Sequence, residues 1–274
     1  MLKMKKGLIV AVVAALFMAL AACGGKSTET SSSSGGGGEA KKKIVVGTDA
    51  AFAPFEYMDK GKIVGFDVDL LDAIMKEAGL DYELRNIGWD PLFAALQSKE
   101  IDMGISGITI TDERKQSYDF SAPYFEATQV ILVKQGSPVK NALDLKGKTI
   151  GVQNATTGQE AAEKLFGKGD HIKKFETSVV AIMELLNGGV DAVITDNAVA
   201  NEYVKNNPDK KLQVIEDPQN FASEYYGMIF PKDSELKAKV DEALQKVIDS
   251  GKYAEIYKKW FGKEPNMEGL KQQQ

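Results

Sequence analysis

An arginine one turn into a short predicted helix is the residue of this sequence best suited to bind an anion. Thr111 has the type and position of a helix N-cap, which puts Arg114 in the first turn. Backbone amides make a first turn electropositive, so a cation there predicts an anionic partner. A ligand carboxylate would fit the fork of the guanidinium, and Thr109 would donate a further hydrogen bond. The alternative is a surface ion pair with Asp112 or Asp119.

A second predicted helix start offers free backbone amides to the same kind of anion. Thr157 and Glu160 have the Ser/Thr-x-x-Glu spacing of a capping box, which predicts Thr157 as the N-cap. Gly158 then lies in the first turn, where unpaired amides attract a carboxylate. A capping box is mainly structural evidence, but the two helix starts together could hold one anionic group.

Small and polar residues follow the predicted strands. Asp196 ends the apolar run 192–195 and suits either an ammonium group or the N-cap of the next helix. Gly107 leaves its backbone groups open to close approach. The other predicted strand ends carry the polar residues Asp49, Ser106, Gln153 and Asn154. Ligands bind outside the carboxyl ends of strands in parallel sheets, so these residues predict one shared site.

Two aromatic residues are predicted on loops that border this site. Phe52 follows a strand and Trp89 precedes a helix. Two such rings could enclose a flat or aliphatic side chain, and a cationic one would gain roughly 0.5 to 2 kcal/mol from the ring faces. Packing in the core is the alternative for both, and for Phe52 alone it is the favoured one.

The sequence lacks the patterns of the common catalytic and metal centres. His171 is the only histidine, and the charged residues around it indicate a solvated loop. It contains no Ser–His pairing, no HExxH motif and no cluster with metal-ligand spacing. Cys23 is the only cysteine, which excludes a disulfide within the chain. We therefore expect no catalytic residue, no metal and no cofactor.

Alternating strands and helices must position these residues. The β-branched run 43–49 predicts a strand, and the apolar stripe of 66–78 predicts a helix that ends at Gly79. A second helix is predicted to start at Asp90, as an N-cap acid, with Pro91 at the first helical position.

A sequence pattern that occurs twice, here called the internal echo, predicts two similar halves. Segment 95–106 parallels segment 185–195: each has a helix end, a tight turn and an apolar strand introduced by an aspartate. An earlier strand precedes each of them. The echo favours two α/β lobes with the ligand site in the cleft between them, although so short a match can arise by chance.

The amino terminus resembles a bacterial lipoprotein signal. Three lysines precede an apolar run of about 15 residues, shorter than the ~20 that span a bilayer. The run ends in Leu-Ala-Ala-Cys, which predicts cleavage before Cys23 and a diacylglycerol on its sulfur; a buried thiol is the alternative. Residues 1–22 are thus predicted as a signal peptide, and 23–42 as the lipidated cysteine with a flexible Ser/Gly-rich tether.

Charge argues against a nucleic-acid partner. The formal net charge is −5, and removal of the signal peptide takes away three lysines and no acid. The remaining Lys and Arg residues are scattered rather than clustered. Together with the amino-terminal signal, these features predict a protein that is held by its lipid anchor on the extracytoplasmic face of the cell membrane.

Several motifs, in this order, resemble the polar amino-acid-binding proteins of bacterial ABC importers, solute-binding protein family 3. That family includes glutamine receptors and lysine/arginine/ornithine/histidine receptors. The resemblance covers residues 43–265, and five segments carry it: 47–55 (GTDAAFAPF), 65–70 (GFDVDL), 107–114 (GITITDER), 119–124 (DFSAPY) and 256–262 (IYKKWFG).

The resemblance implies two Rossmann-like α/β lobes joined by paired hinge strands, the type II fold of periplasmic binding proteins. The implied parts are lobe 1 (43–125 plus 224–265), lobe 2 (129–220) and a C-terminal tail (266–274). Hinges are implied near 124–128 and 220–224. The segment that returns to lobe 1 would contribute the core residues Tyr253, Ile256, Tyr257 and Trp260.

The resemblance also implies a role for each site residue. Arg114 would hold the α-carboxylate of an amino acid, with Thr109 and the amides of Thr157 and Gly158. Asp196 would hold the α-ammonium group, with Ser106 and the carbonyl of Gly107. The pocket for the ligand side chain would be lined by Asp49, Phe52, Trp89 and Gln153. These are the positions that the strand ends and helix starts already indicate.

The pocket residues favour a basic ligand. Gln153 stands where some glutamine receptors have a lysine, and segment 154–157 is one residue longer than in that pattern. Loss of a cation beside Asp49 favours a positively charged ligand side chain, because an unpaired buried carboxylate is costly. Arginine or lysine is therefore predicted, histidine is compatible, and glutamine is the alternative. Glu56 and Glu126 could also approach the pocket.

The predicted function is capture of a free amino acid by lobe closure and its delivery to the permease of an ABC importer. Two other classes stay open. Similar bilobal folds serve as arogenate or prephenate dehydratases, and a receptor of this kind could instead report ligand status to a membrane sensor.

Overall fold

A computed structural model describes residues 43–271 of the 274-residue chain. The predicted signal peptide, Cys23 and the tether lie outside the described residues, as do residues 272–274.

Strands and helices alternate over much of the described chain, as predicted, but the first four strands and the last three helices follow one another directly. The strands are β1 Ile44–Thr48, β2 Ala51–Phe52, β3 Glu56–Asp59, β4 Lys62–Val64, β5 Tyr82–Asn86, β6 Met103–Gly104, β7 Tyr118–Phe120, β8 Phe125–Lys134, β9 Ile150–Gln153, β10 Ile172–Phe175, β11 Ala192–Asp196, β12 Leu212–Glu216, β13 Ser223–Tyr226 and β14 Ile229–Pro231. The helices are α1 Phe66–Ala78, α2 Trp89–Gln97, α3 Asp112–Ser117, α4 Thr157–Phe166, α5 Ser178–Asn187, α6 Asn197–Asn206, α7 Leu236–Asp249, α8 Lys252–Phe261 and α9 Met267–Lys271. Short 3-10 turns lie at Ala142–Leu145 and Pro208–Lys210.

Five strands form the first sheet, in the order β5-β1-β6-β14-β7. β1 is parallel to both β5 and β6, whereas β14 is antiparallel to β6 and β7. Helix α1 buries Leu70, Leu71, Ile74 and Met75 in the core beside this sheet. It spans the predicted residues and ends at Gly79, whose left-handed φ of 64° is unstrained only for glycine.

The second sheet has the order β10-β9-β11-β8-β12 and contains the longest described strand. Strand β8 has ten residues and passes from one sheet towards the other. Its first part pairs antiparallel with β13, with Thr128 opposite Ser223, and its later part pairs with β11 and β12. The two segments predicted as hinges, 124–128 and 220–224, therefore overlap neighbouring strands; movement about them remains a prediction.

The internal echo is confirmed, and a pair of aspartates explains it. Helix α2 leads into β6 beside β1, and α5 leads into β11 beside β9, both in parallel register. The Asp102 carboxylate accepts a hydrogen bond from the Val45 amide at 2.8 Å, and the Asp191 carboxylate accepts one from the Thr149 amide at 2.7 Å. Each aspartate thus pins the strand it introduces to the start of the neighbouring strand.

The last helices pack on the core of the first sheet. Helices α7 and α8 contact α1. Tyr253, Ile256 and Tyr257 are buried, Trp260 is partly buried, and the Tyr253 hydroxyl donates to the carbonyl of Tyr124 at 2.6 Å.

Two local predictions differ from the structure. Helix α2 begins at Trp89 after an N-cap at Gly88, so Asp90 is not the N-cap; it lies in the first turn, where an acid and a proline are both tolerated. The segment predicted as a C-terminal tail contains α9, whose Leu270 is buried. One buried side chain in a five-residue helix leaves no periodic signal in the sequence. No helix within residues 43–271 has the length and apolarity to cross a membrane.

Two glycines on either side of β4 allow a test of how closely the chain at Gly65 approaches Phe55. Gly65 has φ 147°, and a Cβ there would lie 1.9 Å from the carbonyl oxygen of Phe55. Gly61 has φ 81°, and a Cβ there would meet no atom within 4 Å. We expect Gly61→Ala to cost about 1–2 kcal/mol of unfolding free energy from backbone strain alone, and Gly65→Ala to cost clearly more.

Urea unfolding of the chain from Lys41 to Gln274 measures both values. Equal losses in the two variants would contradict the close approach of Gly65 to Phe55.

Candidate ligand-binding site

A cavity of about 330 Å³ lies at the carboxyl ends of the strands of both sheets. From the first sheet and its loops it is lined by Asp49, Phe52, Trp89, Ser106, Gly107, Thr109 and Arg114, and from the second by Gln153, Thr156, Thr157 and Asp196. Every residue predicted for the site is in this wall except Gly158, and Thr156 is added.

The helix that carries Arg114 forms as predicted. The Thr111 hydroxyl oxygen accepts a hydrogen bond from the Arg114 amide at 3.1 Å, so Thr111 is the N-cap of α3. The guanidinium donates from Nη1 to the Thr109 carbonyl at 2.8 Å and from Nη2 to the Ala155 carbonyl at 3.1 Å. Burial lowers the pKa of Arg114, although an arginine keeps its charge in proteins.

The ion pair considered as the alternative for Arg114 is not formed with Asp119. The Asp119 carboxylate instead contacts Lys232 Nζ at 2.9 Å. The guanidinium of Arg114 lies over two rings, 5.5 Å from the centroid of Trp89 and 5.6 Å from that of Phe93. Trp89 therefore supports the arginine as well as lining the cavity.

Phe52 has both of the roles that the sequence left open. Its ring stacks on Phe55 in the core at a centroid distance of 5.7 Å, and it also lines the cavity. A Cβ at Gly107 would lie 2.7 Å from this ring, and Gly107 has φ 52°. Glycine is thus required where the ring covers the chain.

The capping box predicted at Thr157 is wrong by one residue. Thr156 is the N-cap of α4, and its hydroxyl oxygen accepts a hydrogen bond from the Gln159 amide at 3.3 Å. The hydroxyl of Thr157 is consequently free of capping. Gly158 lies behind the cavity wall, because a Cβ there would be 2.9 Å from Gln129 Oε1 and 3.2 Å from the Ile194 carbonyl. The missing side chain at Gly158 lets α4 pack against β11 and Gln129.

Asp196 occupies the N-cap position of α6, yet its side chain makes no capping hydrogen bond. Its carboxylate lines the cavity and accepts a hydrogen bond from Gln129 Nε2 at 2.9 Å. Burial, and then the nearby carboxylate of Glu224, raises the pKa of Asp196 to about 7.

Two residues of the paired strands were missed by the sequence reasoning. Glu224 Oε2 accepts hydrogen bonds from the hydroxyls of Thr109, at 3.1 Å, and Thr157, at 2.7 Å. Gln129 contacts both Asp196 and Glu224. The available signal was a glutamine directly before the apolar run 130–133 of β8 and an acid in the segment already predicted as a hinge.

The part of the cavity wall around Asp49 is acidic. The Asp49 carboxylate accepts a hydrogen bond from Gln153 Nε2 at 3.3 Å, and Gln153 also donates to the Glu176 carbonyl at 3.1 Å. Burial raises the pKa of Asp49, the Gln153 hydrogen bond lowers it, and the charges of Glu176 and Asp90 raise it further. A cation is the partner that would stabilise this end.

Side chains of the two sheets also meet directly across the cavity. Gln153 reaches Asp49, Arg114 reaches Ala155, and Asn154 Nδ2 donates to the Asp90 carboxylate at 3.0 Å. Among residues 43–271, no group of acids, histidine or cysteine has the arrangement of a metal site. The charged groups of Arg114, Asp196 and Asp49, with the hydrogen-bonding groups beside them, can hold one molecule at three points.

Two α/β sheets joined by neighbouring strands, with a polar cavity between their strand ends, define the type II fold of periplasmic binding proteins. The chain belongs to the bacterial extracellular solute-binding proteins, family 3, which it matches over residues 44–263.

Proteins of similar sequence or structure are named as amino-acid-binding proteins, which is consistent with that family. A probable histidine-binding protein of Neisseria gonorrhoeae is 46% identical over 223 residues, which are 80% of this chain and 83% of that protein. The arginine-binding extracellular protein ArtP of Bacillus subtilis (strain 168) is 38% identical over 220 residues, 80% of this chain and 86% of that protein. The solved structure of the arginine-, lysine-, histidine-binding protein ArtJ of Geobacillus stearothermophilus has a TM-score of 0.83 and 91% identity, covering 84% of this chain and all of that one.

The raised pKa of Asp196 predicts a specific pH dependence of stability. The folded protein binds this proton more tightly than the unfolded chain, whose aspartate pKa is 3.8. The contribution of Asp196 to the unfolding free energy is therefore complete below about pH 4 and is lost as the pH rises to about 7, a change on the order of 4 kcal/mol.

The measurement is urea unfolding of the wild type and of Asp196→Asn at several pH values, without added amino acid. We expect the stability of the wild type to fall more steeply between these pH values than that of Asp196→Asn. Other acids with raised pKa titrate in both proteins, so the difference reports Asp196. Parallel pH profiles would contradict this assignment.

Proposed function

We propose that this protein captures a free basic amino acid outside the cytoplasm and delivers it to an ABC importer. The single observation that carries the proposal is the set of charges that line one cavity: the Arg114 guanidinium, the Asp196 carboxylate and the Asp49 carboxylate. Arginine or lysine has the complementary set of one carboxylate, one α-ammonium group and one side-chain cation, and histidine in its charged form is compatible.

At the first end, Arg114 receives the α-carboxylate. Its guanidinium lies over the rings of Trp89 and Phe93, so its fork has a fixed direction. In the proposal, the backbone amides of Thr109 and of the first turn of α4 complete the carboxylate site. The hydroxyls of Thr109 and Thr157 donate to Glu224, so they offer no donor to the ligand, and Arg114 supplies the charged donors. Asp196 receives the α-ammonium group, with Ser106 and the Gly107 carbonyl beside it.

At the other end, the ligand side chain lies near Asp49, between Phe52, Trp89 and Gln153. The charges of Glu176 and Asp90 add to that of Asp49, and the only hydrogen bond to its carboxylate among the described residues is the one from Gln153. A cationic side chain offsets these charges, whereas the neutral amide of glutamine does so less well. The names of the relatives, which cite arginine, lysine and histidine, favour the same ligand class.

Closure of two lobes over the ligand is part of the proposal. Lobe 1 would comprise 43–125 with 224–265, and lobe 2 would comprise 129–220, joined by β8 and β13. Contacts that already reach across the cavity, from Arg114, Gln153 and Asn154, support it. A micromolar complex requires about 8 kcal/mol, and charge-assisted hydrogen bonds of roughly 1.5 to 3 kcal/mol each supply that in gross terms.

We further propose that the protein is not an enzyme and that the ligand leaves unchanged. The similar proteins of Neisseria gonorrhoeae, Bacillus subtilis and Geobacillus stearothermophilus are named as binding proteins. A dehydratase would release product, so incubation with arogenate or prephenate followed by product analysis separates the two classes. Co-purification of a permease rather than a sensor kinase separates import from signalling.

Exchange of one carboxylate tests the ligand class. By calorimetric titration of the chain from Lys41 to Gln274, we expect arginine or lysine to bind most tightly among the common amino acids. Asp49→Asn should weaken arginine binding by more than tenfold, because a buried pair that loses one partner costs about 3–5 kcal/mol.

The matched control is Asp196→Asn, which should weaken every amino-acid ligand alike because it acts on the ammonium group. Tight binding of glutamine alone would overturn the basic specificity and keep the receptor. No binding of any amino acid would overturn the proposed function.

Lipid attachment at Cys23 is proposed from the sequence signal. In a bacterial host, the wild type should incorporate labelled fatty acid and remain in the membrane fraction. Cys23→Ser should lose the label and be released, because the acyl chains supply about 0.8 kcal/mol per buried methylene. Membrane retention of the unlabelled Cys23→Ser protein would argue against a lipid anchor.

A further inference from the structure

A pair of acids is fully buried directly behind the cavity wall. Glu56 begins β3 and Asp67 lies in the first turn of α1, and both have an exposed fraction of 0%. Neither forms an ion pair with a lysine or arginine of residues 43–271. Two unpaired negative charges at such a place would be costly, so hydrogen bonds and protons must compensate them.

One oxygen of each acid faces the cavity wall. Glu56 Oε1 accepts a hydrogen bond from the Ser106 hydroxyl at 2.6 Å. Asp67 Oδ2 accepts hydrogen bonds from the Gly107 amide at 3.0 Å and from the Tyr124 hydroxyl at 2.8 Å. Ser106 and Gly107 are the two residues proposed to surround the ligand's ammonium group with Asp196.

The other two oxygens, Glu56 Oε2 and Asp67 Oδ1, are also buried, and no donor of the described residues reaches them. The two carboxyl groups lie within hydrogen-bonding reach of each other. Two ionised carboxylates so close would repel, whereas one proton between them satisfies both oxygens.

We propose that Glu56 and Asp67 share one proton and act as a positioning pair that fixes Ser106 and Gly107 to receive an ammonium group. The shared proton leaves the pair with one negative charge. The positioning role rests on the proposed function, since it concerns the ligand of that same site.

The hydrogen-bonding partners of the Ser106 hydroxyl determine whether it can donate to a ligand or accept from one. A hydroxyl has one donor and two acceptor positions. In Ser106 the donor serves Glu56, and the Asp49 amide donates to the oxygen at 3.0 Å. Only an acceptor position is left for the ligand. The Gly107 amide is likewise committed to Asp67, which leaves its carbonyl. Both residues therefore accept from an ammonium group and offer no donor to a carboxylate, so the amino acid can enter in one direction only.

The surroundings agree with a shared proton. Burial, and then the charge of Asp67, raises the pKa of Glu56, and burial raises the pKa of Asp67 to about 6. The titratable groups around the pair are Asp49, Tyr124 and Tyr253, which are one acid and two phenols. No described cation offsets the pair, so a proton does.

Amide substitutions test the shared proton, because an amide group can replace it. Glu56→Ala should weaken arginine binding by at least about tenfold, a loss of 1.4 kcal/mol. Glu56→Gln should recover most of that affinity, since its oxygen can accept from Ser106 while its amide donates to Asp67. The double variant Glu56→Gln/Asp67→Asn should lose it again, because two amide donors then face each other.

Infrared spectroscopy provides a readout that a purely structural role would not change. Near pH 7, the difference spectra of the wild type minus Glu56→Gln and of the wild type minus Asp67→Asn should each contain the carbonyl band of one protonated carboxyl group, whether or not the double variant folds. Asp196, whose pKa is raised to about 7, contributes its own band to all three proteins, so this band does not enter the difference. Absence of the difference band would overturn the shared proton. Failure of Glu56→Gln to recover affinity would overturn the positioning role. Absence of all amino-acid binding by the wild type would overturn the proposed function and the positioning role, while the infrared band would still decide the proton.

Discussion

The burial of several carboxylates around one guanidinium is the constraint on which this protein depends. Asp49 and Asp196 lie in the cavity wall, and Arg114 is the only cation among the described residues that line it. Burial raises the pKa of both acids, so each requires a donor, a proton or a cation. Gln153 and Gln129 provide one amide each. The remaining negative charge favours a ligand that carries cations. The same buried carboxylates therefore determine both the electrostatics of the cavity and its preference for a basic ligand.

The fold makes this concentration of charge tolerable because strand ends and helix starts meet at one place. Parallel strands direct their carboxyl ends to one edge of each sheet, and the two sheets present those edges to each other. The cores beneath are apolar, with α1, α7 and α8 packed on the first sheet. Strands β8 and β13 join the halves and bring Gln129 and Glu224 to the cavity. The polar site is therefore held by rigid elements.

Hydrogen-bond direction is set in the layer behind the wall. Glu224 accepts hydrogen bonds from the hydroxyls of Thr109 and Thr157, and Glu56 accepts one from the hydroxyl of Ser106. Each hydroxyl therefore has a defined donor direction, and what it can offer a ligand follows from that direction. The positions of the strand ends do not predict these two acids, because Glu56 lies at the start of β3 and Glu224 lies in β13, which joins the two halves. Their effect is to convert versatile hydroxyls into groups of fixed polarity.

The sequence by itself determined the local chemistry. Thr111 capped the helix of Arg114, the 3.6-residue period of 66–78 formed α1, and the aspartates of the internal echo marked two equivalent strand starts. These features depend on residues close in the chain or on a repeated pattern. Only the tertiary structure decided that Thr156 caps α4, that Gly158 lies behind the wall, and which partners orient the hydroxyls. Glu224 is 115 residues from Thr109, and Glu56 is 50 residues from Ser106. Whether a buried hydroxyl donates to or accepts from a ligand depends on which groups meet it from distant parts of the chain. Neither hydrophobic periodicity nor motif spacing predicts those contacts.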